Sequence, residues 1–213
     1  MRDGWIKVAA ASPQIKVADC AYNTDSIKKA MKKAEEEKVK LLVLPELCIT
    51  GYTCNDLFLQ TTLEEQALAA LEELVAFSHA VNVLTVVGLP MRWKHKLYNC
   101  AAVLYKGKLL GVVPKTHLPN YGEFYEHRHF VPAPAQNERM PWGEADVPFG
   151  TKLLFACREM PAFVLGIEIC EDLWVPNPPS IAHAMAGATV LANLSASDEV
   201  TGKDVFRRQL VIS

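Results

Sequence analysis

No run in this 213-residue chain approaches the ~18 consecutive apolar residues that would cross a bilayer, so a transmembrane helix is not expected. Nor does one sign of charge dominate. The 22 basic residues stand against 24 acidic ones, a formal charge of −2 at pH 7, which argues against a dedicated nucleic-acid binder or a polybasic membrane-surface protein. No C-x-x-C pair occurs among Cys20, Cys48, Cys54, Cys100, Cys157 and Cys170, and the opening MRDGWIKVAAASPQIK interrupts its apolar stretch with Asp3 and Lys7, unlike a secretory signal. Disulfides are therefore not expected, five of the six cysteines default to buried free thiols, and the compartment these features suit is the cytoplasm. Internal repeats, low-complexity tracts and interdomain linkers are also missing. What remains is a half-hydrophobic, 22% charged composition that suits one globular domain with a full core.

Short apolar, β-branched runs at Trp5 to Ala11, Leu41 to Leu44, Val83 to Val87 and Val164 to Ile169 read as strands, several ended by Pro13, Pro45 and Pro90. A helix opening near Asn23-Thr24-Asp25 buries Ile27, Ala30, Met31 and Ala34, and its Lys/Glu-rich opposite face is solvated. A second begins at Thr62, where Thr-x-x-Glu with Glu65 reads as a capping box, and carries Leu68, Leu71 and Val75 on its apolar stripe. Tyr98 to Val113 reads as a hairpin turning at Gly107, a third helix follows Pro178-Pro179-Ser180 into a strand over Ala188 to Leu191, and a last helix covers Lys203 to Ile212. The stretch from Thr116 to Pro148 shows little periodicity, and such irregular lengths are usually functional. The alternation predicts an α/β layered fold with mixed sheets.

Three strand-like runs deliver a reactive side chain where strand gives way to loop: LLVLP ends on Glu46, LLGVVP on Lys115, and GIEI on Cys170. In open α/β folds, ligands bind beyond the carboxyl ends of the strands. Period-two alternation puts Ile167 and Ile169 on one face, Glu168 and Cys170 on the other. Singly, each has a plain structural reading: a cap, a surface lysine, a buried thiol. Together they are a carboxylate, an ammonium and a thiol, a set suited to amide hydrolysis. His127-x-His129, with His117 nearby, lacks a partner motif at zinc spacing, so no metal is assigned. Trp142 and Trp174 are assigned to packing.

The blocks LLVLPELCITGY, GVVPKTHLPNYGEFYE and GIEICEDLW resemble the nitrilase (carbon–nitrogen hydrolase) superfamily, in their order and in the separations of 69 residues from Glu46 to Lys115 and 55 from there to Cys170. Within it, TGYTCNDLF, YNCAAVLYKGKLLGVVPK, CEDLWVPNPPS and ATVLANLSASDEVTGK are most similar to the glutaminase domains of glutamine-dependent NAD synthetases. The resemblance implies a four-layer α-β-β-α sandwich and a Glu46–Lys115–Cys170 triad. It also implies Tyr121, Ser197 and Lys203 as glutamine contacts and Glu123 as an accessory carboxylate supporting Lys115. On the same resemblance, residues 1–213 are an incomplete domain, with closing strands and a synthetase domain lying outside them. No SGG-type ATP-pyrophosphatase loop is present, so ATP and Mg²⁺ are expected only in that absent synthetase domain, and no cofactor in this chain. Implied partners are glutamine, the parent chain's synthetase domain and further copies in a homo-oligomer. Rivals are another carbon–nitrogen hydrolase, such as an ω-amidase or carbamoylase, and a non-catalytic domain that keeps the fold.

The chemistry sets its own requirements. A thiol of pKa ~8.5 is only a few per cent ionised at neutral pH, whereas the attacking species is the thiolate. At ~4 Å and an effective dielectric near 20, a unit charge pair is worth about 4 kcal/mol before desolvation. Lys115 is therefore expected to lower the Cys170 pKa. Glu46 is expected to take the proton, pass it to departing ammonia and then activate water. The oxyanion is expected on the Lys115 ammonium and the Glu171 backbone N–H.

Overall fold

The computed structural model describes residues 5–212. The first apolar run forms β1 (Val8–Ala10), and α1 (Cys20–Glu36) follows. α1 opens three residues before Asn23, because Asp19 caps it through the Tyr22 N–H. Asn23 lies inside the first turn and uses its buried amide to hold the backbone of Lys16 and Ile49. Ile27, Met31 and Ala34 face the core as the 3.6-residue period requires. β2 (Leu41–Val43) then pairs parallel to β1, with α1 as the crossover. α2 (Thr61–Phe77) does not form the expected capping box of Thr62 and Glu65: Gln60 is the N-cap residue and makes no side-chain bond, and Thr62 is already inside the first turn. Its buried face is Leu63, Ala67, Ala70, Leu71, Leu74 and Val75, while Leu68 is 43% exposed and off the stripe.

β3 (Leu84–Trp93) runs on through Pro90, beyond the expected end at Val87. Its last partner on β2 opposite Val43 is Val86, so Pro90 stands where that edge is open. β4 (Lys96–Tyr105) and β5 (Lys108–Pro114) form the expected hairpin, with Lys106 at φ 50° and Gly107 at φ 77° in the tight turn. The stretch expected to be irregular is so only in its first part. β6 (Glu138–Trp142) and β7 (Ala145–Phe149) make a second hairpin around Gly143, masked in the sequence by Pro141 and Pro148. Pro141 is tolerated because β6 is the sheet's edge strand. β8 (Leu154–Cys157), β9 (Met160–Ile169), α3 (Pro179–Met185), β10 (Val190–Leu194) and α4 (Lys203–Ile212) complete the order.

Two sheets result, one ordered β1-β2-β3-β4-β5-β7-β6 and one ordered β10-β9-β8. α1 and α2 cover the outer face of the larger sheet with Ile27, Met31, Leu71 and Leu74 against Leu42, Val87 and Leu104. The inner faces meet through Val86, Ala101, Val103 and Val113 on one side and Phe163, Leu165, Ile167 and Ile169 on the other. α3 packs outside the small sheet, with His183 against Gly166. The layers are thus α-β-β-α. At ~1.5–3 kcal/mol for each large apolar side chain removed from water, both interfaces contribute substantially to stability. α4 has no buried residue. Of the cysteines, Cys20, Cys48, Cys54, Cys100 and Cys170 are buried and Cys157 is half-buried, all as free thiols. No helix among the described residues is long and apolar enough to cross a membrane.

One close approach ties sheet to site. A Cβ on Gly88 of β3 would lie 2.3 Å from the Leu47 nitrogen, 2.6 Å from the Pro45 oxygen and 2.8 Å from the Glu46 carbonyl carbon. These are backbone atoms and have no rotamer to retreat into. Gly88→Ala is therefore expected to cost roughly 1–3 kcal/mol by overpacking and to displace the Pro45–Leu47 turn. Urea unfolding checks this, and a midpoint unchanged from wild type would show that the turn accommodates the methyl group.

Candidate active site

The turn after β2 leaves the Glu46 carboxylate fully buried between the sheets. Lys115, the residue after β5, is 1% exposed and donates from Nζ to Glu46 Oε1 at 2.7 Å and to Glu126 Oε1 at 2.5 Å. An ammonium has three N–H donors, so two are committed to carboxylates and one remains. Burial alone would pull the Lys115 pKa down, but Glu46 and Glu126 outweigh it and hold the ammonium above its ordinary value. Asn99 Nδ2 donates to both carboxylates, at 2.7 Å to Glu46 and 3.3 Å to Glu126, and the Tyr52 hydroxyl donates to Glu126 at 2.9 Å. Burial, then the Glu46 charge, push the Glu126 carboxyl up against the pull of Lys115.

The carboxylate that supports Lys115 is thus Glu126, and the expectation for Glu123 is corrected. GEFYE holds two glutamates three residues apart. The chain folds Glu126 inward on a 3-10 turn (Glu126–Arg128), closing onto Pro119 through the Glu126 N–H and held outside by Arg128 on Asp56. Glu123 stays at the wall of the neighbouring pocket. Flanking residues carry no signal for this choice, except that Tyr52, in TGYTCNDLF, needs a buried acceptor.

Cys170 follows β9 as the first residue of a 3-10 turn (Cys170–Leu173) and takes φ 45°, a left-handed conformation that costs energy for a side-chain-bearing residue. This breaks the alternation expected of it. Glu168 points to α3, where the Ser180 N–H meets it, whereas Cys170 packs with Ile167 and Ile169 in the inter-sheet cluster. The loop after β10 then bridges sulfur and acid. Ser195 Oγ donates to the Cys170 Sγ at 3.4 Å, and the Ala196 N–H donates to Glu46 Oε2 at 3.1 Å while also facing the sulfur. Sequence reasoning missed Ser195 and Ala196, whose roles are backbone and hydroxyl geometry.

The expected lowering of the Cys170 pKa is also corrected. Burial, followed by the Glu46 charge, pushes the thiol up to about 12, and the Lys115 ammonium offsets only part of this. The resting sulfur therefore carries its proton, beside a carboxylate able to receive it.

Cys170 opens onto a pocket of about 290 Å³ lined also by Tyr121, Glu123, Glu171, Ser197, Asp198 and Lys203. The Tyr121 hydroxyl donates to Glu171 at 2.8 Å, and Lys203 pairs with Asp198 while its ammonium lies 5.4 Å from the Trp174 ring centroid and 5.9 Å from that of Phe124. Trp174, assigned above to packing, is a pocket wall. Glu171 occupies the first turn of the 3-10 segment, where backbone N–H groups have no intrahelical acceptor.

Buried Asp172 straps the two arms together. Its carboxylate accepts the N–H groups of Thr116 and His117, just past Lys115, and that of Ile169, just before Cys170. Burial raises this carboxyl to about 7 against the pull of those N–H groups. A carboxyl held above its unfolded value contributes stability at pH below the ordinary Asp range, and that contribution is lost as pH rises through about 7. Between pH 6 and pH 8 the wild type is expected to lose about 1–1.5 kcal/mol that Asp172→Asn does not lose, whatever the variant's absolute stability. Denaturant melts at the two pH values check the difference in slope; equal slopes would mean that the three N–H bonds dominate.

The model of the carbon–nitrogen hydrolase family matches residues 7–208. The chain is 44% identical over 210 residues, 99% of its length, to a glutamine-dependent NAD(+) synthetase of Mycobacterium tuberculosis, covering 31% of that protein. It is 31% identical over 204 residues to the corresponding Thermotoga maritima protein, covering 95% of this chain and 32% of the other. Among solved structures, a glutamine-dependent NAD(+) synthetase from Cytophaga hutchinsonii superposes with a TM-score of 0.86 at 34% identity, over 97% of this chain and 33% of that one. An amidase from Nesterenkonia sp. shares the fold, with a TM-score of 0.71 at 23% identity over 94% of this chain and 68% of its own. The chain thus spans about a third of the length of the curated relatives it matches. With its layered sheets and with the family match running through Glu46, Lys115 and Cys170, the chain belongs to the carbon–nitrogen hydrolase family.

Proposed function

We propose that this chain is a glutamine amidohydrolase domain, releasing ammonia through a γ-glutamyl thioester on Cys170. The observation that carries the reading is the convergence of a buried thiol, a buried carboxylate and a doubly held ammonium beside a pocket rimmed by both signs of charge. A zwitterionic amino acid suits such a rim: Lys203 faces a carboxylate, while Asp198 and Glu171 face an ammonium. Tyr121 and Ser197 would complete the glutamine contacts.

Attack by Cys170 on the side-chain amide carbon moves the S–H proton to Glu46. The carbonyl electrons pass to oxygen, which rests on the third N–H of Lys115 and the Glu171 backbone N–H. Collapse breaks the C–N bond, and Glu46 returns its proton to the leaving ammonia. Water, deprotonated by Glu46, then hydrolyses the thioester to glutamate. Because the thiol is high in pKa at rest, proton transfer accompanies attack, so Lys115 serves the oxyanion and the charge balance more than a standing thiolate. The similarity to glutamine-dependent NAD(+) synthetases supports a parent enzyme in which this ammonia amidates an ATP-activated, Mg²⁺-dependent deamido-NAD intermediate on a separate synthetase domain.

Mass spectrometry of the protein mixed with glutamine is expected to find the γ-glutamyl adduct on Cys170, and Cys170→Ala to release no glutamate. Glu46→Gln keeps the shape but accepts no proton, so glutamate release should fall about 10²–10⁴-fold. Wild-type rates in Cys170→Ala would end this reading, and preference for ω-amides or carbamoyl compounds over glutamine would redirect it.

A further inference from the structure

Two carboxylates share the Lys115 ammonium, yet the reaction needs one of them, and always the same one, free of its proton. Their surroundings differ. Glu46 accepts from Lys115 at 2.7 Å, from Asn99 at 2.7 Å and from the Ala196 N–H at 3.1 Å. Glu126 accepts from Lys115 at 2.5 Å and Tyr52 at 2.9 Å, but from Asn99 only at 3.3 Å. Asn99 is itself 1% exposed on β4, and its backbone carbonyl accepts the Lys115 N–H at 2.8 Å. Its Oδ1 is buried with no hydrogen-bond partner. An orphaned buried acceptor costs on the order of 1–3 kcal/mol. Turning the amide round would bring that oxygen onto two carboxylates, so the orientation is dictated by them and the cost is retained.

We propose that Asn99 is a positioning residue that decides which carboxylate is the base: its Nδ2, 2.7 Å from Glu46 but 3.3 Å from Glu126, holds the Glu46 carboxylate in place to receive the Cys170 proton and leaves Glu126 to hold Lys115. The inference rests on the reading of Glu46 as the base of Cys170. Charged and titratable groups facing this cluster are Lys115 from the end of β5, Tyr52 from the 3-10 segment after Gly51, Cys170 after β9, and Asp172 near Lys115. Among the described residues, only Asn99 reaches both carboxylates without carrying charge.

Asn99→Asp tests this with almost no change of shape. The new carboxyl donates to Glu46 only while protonated, so glutamate release should approach the wild-type value near pH 5 and fall below it by about tenfold to a hundredfold near pH 8. The loss should lie in kcat, with KM for glutamine little altered. Asn99→Ala, which brings no charge, should lose a similar factor in kcat without the steep relative fall between pH 5 and pH 8. Alkylation of Cys170 by iodoacetamide, which needs no glutamine, should follow the same two patterns. It therefore still reads Asn99 if glutamine proves not to be the substrate. A constant ratio of Asn99→Asp to wild type across pH, in both glutamate release and alkylation, would overturn the assignment. Should the Asp variant not fold, a wild-type kcat in Asn99→Ala would overturn it equally.

Discussion

An ammonium buried to 1% exposure between two β-sheets is the constraint from which the rest of this site follows. Removing an ion from water costs several kcal/mol even after the protein relaxes, and the cost is recovered only where opposite charge and hydrogen bonds meet it in good geometry. Lys115 meets that condition twice, through Glu46 and Glu126. Burial, and after it the Glu46 charge, raises the Cys170 thiol above its ordinary pKa, and the Lys115 ammonium offsets only part of this.

The layers place these groups. Glu46 and Lys115 come from the larger sheet, Cys170 and the Ser195–Ala196 turn from the smaller, so no single sheet holds the constellation. Its precision depends on what crosses between them. Asp172 binds backbone on both sides of the junction, and the Ala196 N–H joins the second sheet to Glu46. The apolar inter-sheet cluster supplies the bulk of the cohesion and excludes water; the few polar straps supply register. Strain at Cys170 is held in place by this packing and aims the sulfur away from the direction its strand parity would give.

Much of this was legible in the chain. Helical and strand periods are local, so α1, the β4–β5 hairpin, α3 and α4 were found near their observed positions, and the polar ends of three apolar runs pointed to the reactive groups. Errors arose where a local rule met a tertiary competitor. Pro90 did not end β3 because β2 had already ceased to pair, and the Thr62 capping box did not form because α2 starts at Thr61, with Gln60 as its N-cap residue and Thr62 already inside the first turn. Glu123 and Glu126 have equal chemistry within GEFYE, and only the turn back to Pro119 separates them.

Residue chemistry and order along the chain therefore specified the α/β layering and the identities of an acid, an amine and a thiol, since hydrophobic periodicity and side-chain reactivity are properties of short segments. Contacts between residues far apart in the chain specified which glutamate meets Lys115, where Asn99 directs its amide, and whether the thiol rests protonated. Desolvation and hydrogen bonding depend on what surrounds a group in space, and sheets built from distant strands create surroundings that no local stretch contains.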